Sequence, residues 1–268
     1  MVLPDDRARP LAELPAADAA GVHGVFTDID DTLTCEGVIM PAALAALQRL
    51  AAARIPVVAI TGRPLGWSEP FARAWPVAAI VAENGSVALL REQGRVHTEF
   101  VQDDATRTRN AARLRAVAAR VQRELPQARL AQDSAGRVTD IAVDHSEFAH
   151  LSEADIARVV ALMRQEGLQA TVSSIHINGW IGDHDKLSGA RWMVQRLFGR
   201  SLDHERERWL YVGDSPNDQR MFEYFPLSVG VANLQRFAAQ LQVWPRYLAA
   251  GARGEGFAEV AERLLWGR

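Results

Sequence analysis

The chain has 268 residues, 48% hydrophobic and 24% charged, enough apolar material for a main body plus a second, smaller folded unit. A formal net charge of −3 gives no global attraction to nucleic acid or to an anionic membrane surface. The single cysteine, Cys35, excludes an intramolecular disulfide and any thiolate-rich metal site, and it fits a reducing compartment.

Residues 1–20 carry early acids and prolines and no apolar h-region, so they read as a flexible tail and not as a secretory leader. Val22–Thr27 reads as a first strand, and Pro41 suits the first turn of a helix to about Arg54 with Leu44, Leu47 and Ala51 on one face. "IPVVAIT" (55–61) and "VAAIVA" (77–82) are continuous apolar runs, the pattern of strands buried on both faces. "GRP" turns the chain between them, and "ENG" (83–85) ends the second.

The texture then changes. Residues 87–100 read as a hairpin, 104–124 as a helix with Leu114, Val117 and Val121 along one side, and 152–166 as a further helix among short strands. After Gly182 the buried pattern returns: a helix from Lys186, a strand at 209–214, a short helix, and a strand at 226–232. Strand–helix units on both sides of the mixed block predict an α/β fold, a doubly wound parallel sheet. Its core would be 21–86 and 182–268, interrupted by an inserted α+β cap over 87–181. No stretch reaches the roughly 18 uninterrupted apolar residues of a membrane helix. A cytoplasmic protein without membrane or nucleic-acid partners is the expectation, with the oligomeric state left open.

Ligands of open parallel sheets collect at the carboxyl ends of the strands. Three such ends carry polar clusters: Asp28-Ile29-Asp30-Asp31-Thr32, Thr61-Gly62-Arg63 and Gly213-Asp214-Ser215-Pro216-Asn217-Asp218. Lys186 opens a helix between the second and third. Gathered on one edge, so many carboxylates repel unless a cation joins them, and Mg²⁺ suits a partly hydrated carboxylate site. An EF-hand loop from Asp28 fails, because Thr32, Leu33 and Ile39 stand where Asp or Asn, Gly and Glu are needed. An isolated acidic turn remains an alternative for Asp-x-Asp alone, and the ordered combination is what argues against it.

"VFTDIDDTLT", "AITGRP", "DKLSG" and "VGDSPND", in that order, resemble the motifs of the haloacid-dehalogenase-like (HAD) phosphohydrolases. The resemblance covers about 22–86 and 182–233. The insertion between the Thr and Lys motifs is similar to the class IIB arrangement shared by sucrose-phosphate, mannosyl-phosphoglycerate and trehalose-phosphate phosphatases, the Cof-like group and the phosphomannomutases. It implies a Mg²⁺-dependent phosphatase of a small phosphorylated metabolite, a sugar phosphate or phosphoglycerate-type ester.

On that resemblance Asp28 is the nucleophile that forms an aspartyl-phosphate, and Asp30 is the general acid and then base, its backbone carbonyl facing the metal. Asp31 would orient the loop. Thr61 and the Gly62 amide, Lys186 and Asn217 would hold phosphate, although Thr61 could equally be a helix cap. Asp28, Asp30, Asp214 and Asp218 form the implied metal set, with Asp218 open to a second reading as one half of a capping box with Ser215. Glu83-Asn84-Gly85 would lie at the first crossing into the cap and Gly182 near the second. Specificity candidates are Arg63, Glu83 and Asn84, together with Ser174, His176, Asn178 and Trp180 on one face of a cap strand; Arg137 and Asp140 have less support. Asp183-His184-Asp185 is set aside as a metal cluster, since adjacent residues do not converge easily on one ion. The rival readings are a phosphomutase using the same aspartyl-phosphate and a non-catalytic binder of phosphorylated ligands.

Overall fold

The computed structural model describes residues 7–266. In chain order the strands are β1 (Arg9–Pro10), β2 (Gly24–Thr27), β3 (Thr34–Cys35), β4 (Val38–Ile39), β5 (Val57–Ile60), β6 (Ala79–Ala82), β7 (Val87–Glu92), β8 (Arg95–Phe100), β9 (Asp140–Asp144), β10 (Gln169–Val172), β11 (His176–Trp180), β12 (Trp209–Gly213), β13 (Leu227–Gly230) and β14 (Tyr247–Leu248). The helices are α1 (Ala16–Ala20), α2 (Pro41–Ala52), α3 (Leu65–Ala74), α4 (Asp104–Glu124), α5 (Glu153–Gln165), α6 (Lys186–Phe198), α7 (Leu202–Glu205), α8 (Gln219–Tyr224) and α9 (Arg253–Leu265).

Nine strands form one sheet in the order β1-β14-β13-β12-β2-β5-β6-β7-β8. Every pairing from β1 to β6 is parallel, and β7 and β8 close the edge as an antiparallel hairpin. The central strands have no solvent face, which is why they read as unbroken apolar runs. Val25, Val57 and Ala59 point into a core shared with α1, α2 and α9, while Phe26, Val58 and Ile60 point into one shared with α6 and α8. A separate three-stranded antiparallel sheet, β10-β11-β9, packs against α4 and α5 around Val121, Val143, Val159 and Met163. This is the inserted α+β domain.

Two boundaries differ from the expectation. The hairpin at 87–100 belongs to the main sheet and not to the cap, because Val87–Leu90 is wholly buried and pairs with β6. The crossings into and out of the cap therefore lie near 101–103 and 181–185, not at Glu83–Gly85, and Gln102 Nε2 donates across them to the Ile181 carbonyl at 2.7 Å. The expected tail is also folded over 7–20: β1 pairs with β14, and Leu11 and Leu14 are buried against the α9 side of the core. Residues 1–6 of that tail lie outside the described residues. Glu83–Gly85 still serves the cap, from beneath. Gly85 sits at φ +106, and a Cβ there would overlap the Asp185 carbonyl oxygen, so only glycine lets this turn pack against the return crossing.

Candidate active site

β2, β5 and β12 are adjacent and parallel, so their carboxyl ends deliver Asp28, Thr61 and Asp214 to one edge. Lys186, the first residue of α6, reaches the same point through its long stem. Its Nζ donates to Asp28 Oδ1 at 2.6 Å and to Asp218 Oδ1 at 2.7 Å. Asp28, Asp214 and Asp218 are all buried, and one carboxylate oxygen of each lies within 4.8 Å of the others. Thus the expected convergence is present for Asp28, Asp214, Asp218 and Lys186.

The electrostatics of this cluster are those of too many carboxylates in too little water. Burial pushes Asp28 up to about 8; Lys186 pulls it back, and Asp218 and Asp30 add to the rise. Burial and the Asp28 and Asp218 charges lift Asp214 well above the carboxylate range. Lys186 is held protonated despite its burial by Asp218 and Asp28. One ammonium is not enough for three acids.

Asp218 is fully committed. Oδ1 takes bonds from Lys186 and from the Tyr211 hydroxyl, and Oδ2 takes the backbone amides of Asp214 and Ser215 at 2.9 and 3.1 Å. Ser215 and Asp218 form the capping box read from the sequence. Asp214 is the opposite case: Oδ2 accepts from Asn233 at 3.1 Å and Arg236 at 3.3 Å, whereas Oδ1 is buried without a partner among the described residues. A buried carboxylate oxygen left unmatched beside Asp28 fits a hard cation with oxygen ligands.

Asp30 stands apart from the cluster. Its carboxylate accepts from Arg63 Nε at 3.0 and 3.1 Å, and burial raises it above the ordinary value against the pull of Arg63. Arg63, itself buried, also donates to Asp133 at 3.1 Å and to Glu147 at 2.7 and 3.2 Å, both in the cap. His176 Nε2 completes the line at 2.9 Å from Glu147 Oε2. Arg63 was read as a specificity residue; here it is the ion that joins cap to core.

The other residues singled out from the sequence fall into place around this. Thr61 Oγ1 accepts the Arg63 amide at 3.0 Å, a turn-capping bond that leaves its hydroxyl able to donate. Gly62 is covered by Asn178, whose Nδ2 donates to its carbonyl at 3.1 Å; a Cβ there would lie 3.1 Å from Asn178 Oδ1. Arg137 Nη1 donates to the same carbonyl at 2.9 Å and to both oxygens of Asp140. Glu83 is buried and accepts the amides of Leu65, Val138 and Thr139, which pins the cap to the start of α3. Asn84 Nδ2 reaches Asp140 at 3.4 Å. Trp180 Nε1 donates to the His184 carbonyl at 2.8 Å, and Ser174, just before β11, passes its carbonyl to Ser146. Asn217 accepts from Ser215 and makes no bond to Lys186. Asp31, at φ 56, is held by Arg236 and by Arg253.

Several contributors went unread: Tyr211, Asn233, Arg236, Arg253, Asp133 and Glu147. Asn233 had a usable signal, since it follows the buried strand β13 and so stands at the same sheet edge.

Residues 25–124 match the family model of the haloacid dehalogenase-like hydrolases. Over those residues the chain is similar to that family. Among solved structures, one from Thermoplasma acidophilum has a TM-score of 0.68 at 14% identity, over 91% of this chain and 98% of that one. The sucrose-phosphatase of Synechocystis sp., solved with sucrose and phosphate, has a TM-score of 0.64 at 15% identity, over 91% and 98%. The C-terminal domain of the C. albicans trehalose-6-phosphate phosphatase has a TM-score of 0.64 at 13% identity, over 97% and 99%. Identities this low carry the fold alone. No curated protein matches the sequence. Among the described residues no helix is long and apolar enough to cross a membrane.

Proposed function

We propose that this chain is a HAD-type, Mg²⁺-dependent phosphatase of a small phosphorylated metabolite, a sugar phosphate or phosphoglycerate-type ester. The observation that carries the reading is the buried Asp28 carboxylate, bonded to Lys186 and set beside Asp214 and its unmatched oxygen. The match of residues 25–124 to the haloacid dehalogenase-like hydrolases and the fold shared with two sugar-phosphate phosphatases support it.

Mg²⁺ would be held by the carboxylates of Asp28 and Asp214 and the Asp30 backbone carbonyl, with Asp218 bracing them through Lys186 and the loop amides. When bound, it supplies positive charge that keeps Asp28 ionised and offsets charge on the phosphoryl group. Asp28 Oδ attacks phosphorus as the bond to the leaving oxygen breaks, and Asp30 gives that oxygen its proton. Asp30 then takes a proton from the water that attacks phosphorus, which releases inorganic phosphate and regenerates Asp28. Lys186, the Thr61 hydroxyl and the Gly62 amide hold the phosphoryl oxygens, since positioning and charge stabilisation do most of the work in phosphoryl transfer. The cap keeps other water out while the aspartyl-phosphate exists.

The test is release of inorganic phosphate from a panel of sugar, glycerate and nucleotide esters, with and without Mg²⁺. Turnover that requires the metal and vanishes in Asp28→Asn is expected. No turnover of any ester, or an Asp28→Asn variant as active as wild type, sinks the reading. Phosphate release that needs a bisphosphate activator would mark a phosphomutase instead.

A further inference from the structure

A leaving oxygen that takes its proton from Asp30 must stand in the cavity that Asp30 lines. That cavity, about 520 Å³, lies between core and cap and has room for a metabolite. Its core wall is polar: beside Asp30 stands Asp31, held by the guanidiniums of Arg236 and Arg253. The cap wall is different. The cap residues expected from the sequence to read the substrate are committed elsewhere: His176 bonds Glu147, Asn178 bonds the Gly62 carbonyl and Asp140, and Trp180 bonds the His184 carbonyl. Within the cavity itself Glu147 is engaged by Arg63, and the Ser146 hydroxyl donates to the Ser174 carbonyl. What the cap then turns toward the open volume is chiefly apolar, Phe148 and the half-buried Ile175.

The loop that carries Phe148 is braced. Asp144, buried at the end of β9, accepts the backbone amides of Ser146 at 3.1 Å, Glu147 at 2.9 Å, Phe148 at 2.9 Å and Ala149 at 3.2 Å. One carboxylate thus fixes the whole turn and gives two adjacent residues different tasks. Glu147 reaches Arg63, which also holds Asp30, while Phe148 keeps 64% of its surface exposed. A lone exposed aromatic on an open surface needs no explanation. On a braced turn, lining the cavity of the proton donor, it is an apolar plate at the place where the leaving group stands. The C–H face of a sugar-like ring packs on such a plate and leaves its hydroxyl edge to the polar core wall; a short acyclic leaving group has no face to offer.

We infer that Phe148 is a specificity-determining residue, which receives the apolar face of a ring-bearing leaving group and is set in place by the bond of its neighbour Glu147 to Arg63. This rests on the phosphatase reading and names the side chain that selects the substrate.

The experiment measures kcat and KM for ring-bearing esters (hexose and pentose phosphates) and acyclic ones (glycerol phosphate, phosphoglycolate) in wild type, Phe148→Ala and Phe148→Tyr, with melting curves to confirm that each variant folds. Phe148→Ala should lower kcat/KM for the best ring-bearing ester about tenfold, chiefly through KM, and should change the acyclic esters less than about twofold. Phe148→Tyr, which keeps the plate, should hold the wild-type preference within about twofold. An unchanged ratio of ring-bearing to acyclic esters in Phe148→Ala overturns the inference. Equal losses on both classes do so too, because Phe148 would then only support the loop, and so does a wild type that prefers an acyclic ester to every ring-bearing one. If wild type turns over no ester at all, the phosphatase reading has failed and takes this inference with it; if it turns over esters and the ratio does not move, this inference alone has failed.

Discussion

Two buried cations, each ringed by acids, organise the two ends of the cap–core junction, and they do opposite work. Lys186 faces Asp28 and Asp218, with Asp214 beside them, and all belong to the core. Arg63 faces Asp30 of the core and Asp133 and Glu147 of the cap. The lysine cluster is left incomplete, with Asp28 and Asp214 pushed toward protonation and one oxygen without a partner. The arginine cluster is closed, because the five donors of the planar guanidinium are spread widely enough to meet three carboxylates on separate elements. An incomplete cluster is a place for a ligand, and a closed one is a clasp.

The largest expected difference between them is in catalysis. Asp28→Asn should lower turnover about a thousandfold or more, whereas Asp133→Asn, on the clasp, should change it far less. Phosphate release from the best ester measures both; comparable losses would erase the distinction. Asp30→Asn should fall between, about 10²–10⁴-fold, because a general acid is lost while the nucleophile stays.

Metal linkage separates the ends next. Lys186→Met and Arg63→Met each strand buried carboxylates, and each should cost about 3–5 kcal/mol in urea denaturation. Added Mg²⁺ should restore part of the loss in Lys186→Met, since an ion binding the folded state alone stabilises it by mass action. In Arg63→Met, whose Asp28–Asp214 site is intact, it should add only the increment that it adds to wild type. A larger increment there would show that the clasp also takes metal.

What could be read from the sequence follows the same division. Asp28, Asp30, Thr61, Lys186 and Asp214 stand at strand ends or a helix start with fixed local spacing, and the rule that parallel sheets place ligands at their carboxyl edge brings them together. Arg63 could be seen, but its partners Asp133 and Glu147 lie 70 and 84 residues away in another domain, and no local pattern announces them. The hairpin at 87–100 reads as cap because the run of buried strands and helices breaks after residue 85; the polar, largely accessible β8 is what an edge strand of the main sheet should look like. Residues 7–20 mislead similarly: acids and prolines suggest a tail, yet Leu11 and Leu14 fill the core beside α9. Local composition does not reveal which distant surface waits to be covered.

The smallest effect concerns pH and tests whether the clasp holds as an ion network. Burial raises Glu147, but the bonds from His176 and Arg63 outweigh it and bring it down to about 2. A carboxylate whose folded value lies below its unfolded value of about 4.5 contributes stability that is complete above pH 4.5 and lost as pH falls toward 2. Glu147 is only half buried, so screening reduces its share to about 1–2 kcal/mol at neutral pH. His184, held down to about 4, also loses stability on acidification, but earlier, between about 6.5 and 4. Asp140 acts in the opposite sense: burial lifts it to about 6 against Arg137, so its burden on the fold eases as pH falls through that value. Glu147→Gln should therefore flatten the urea-unfolding free energy below about pH 4.5 and leave the slope between 6.5 and 4.5 unchanged. A variant that keeps the wild-type acid limb would mean that Arg63 is held by Asp30 and Asp133 alone, and that the cap's acid adds nothing to the clasp.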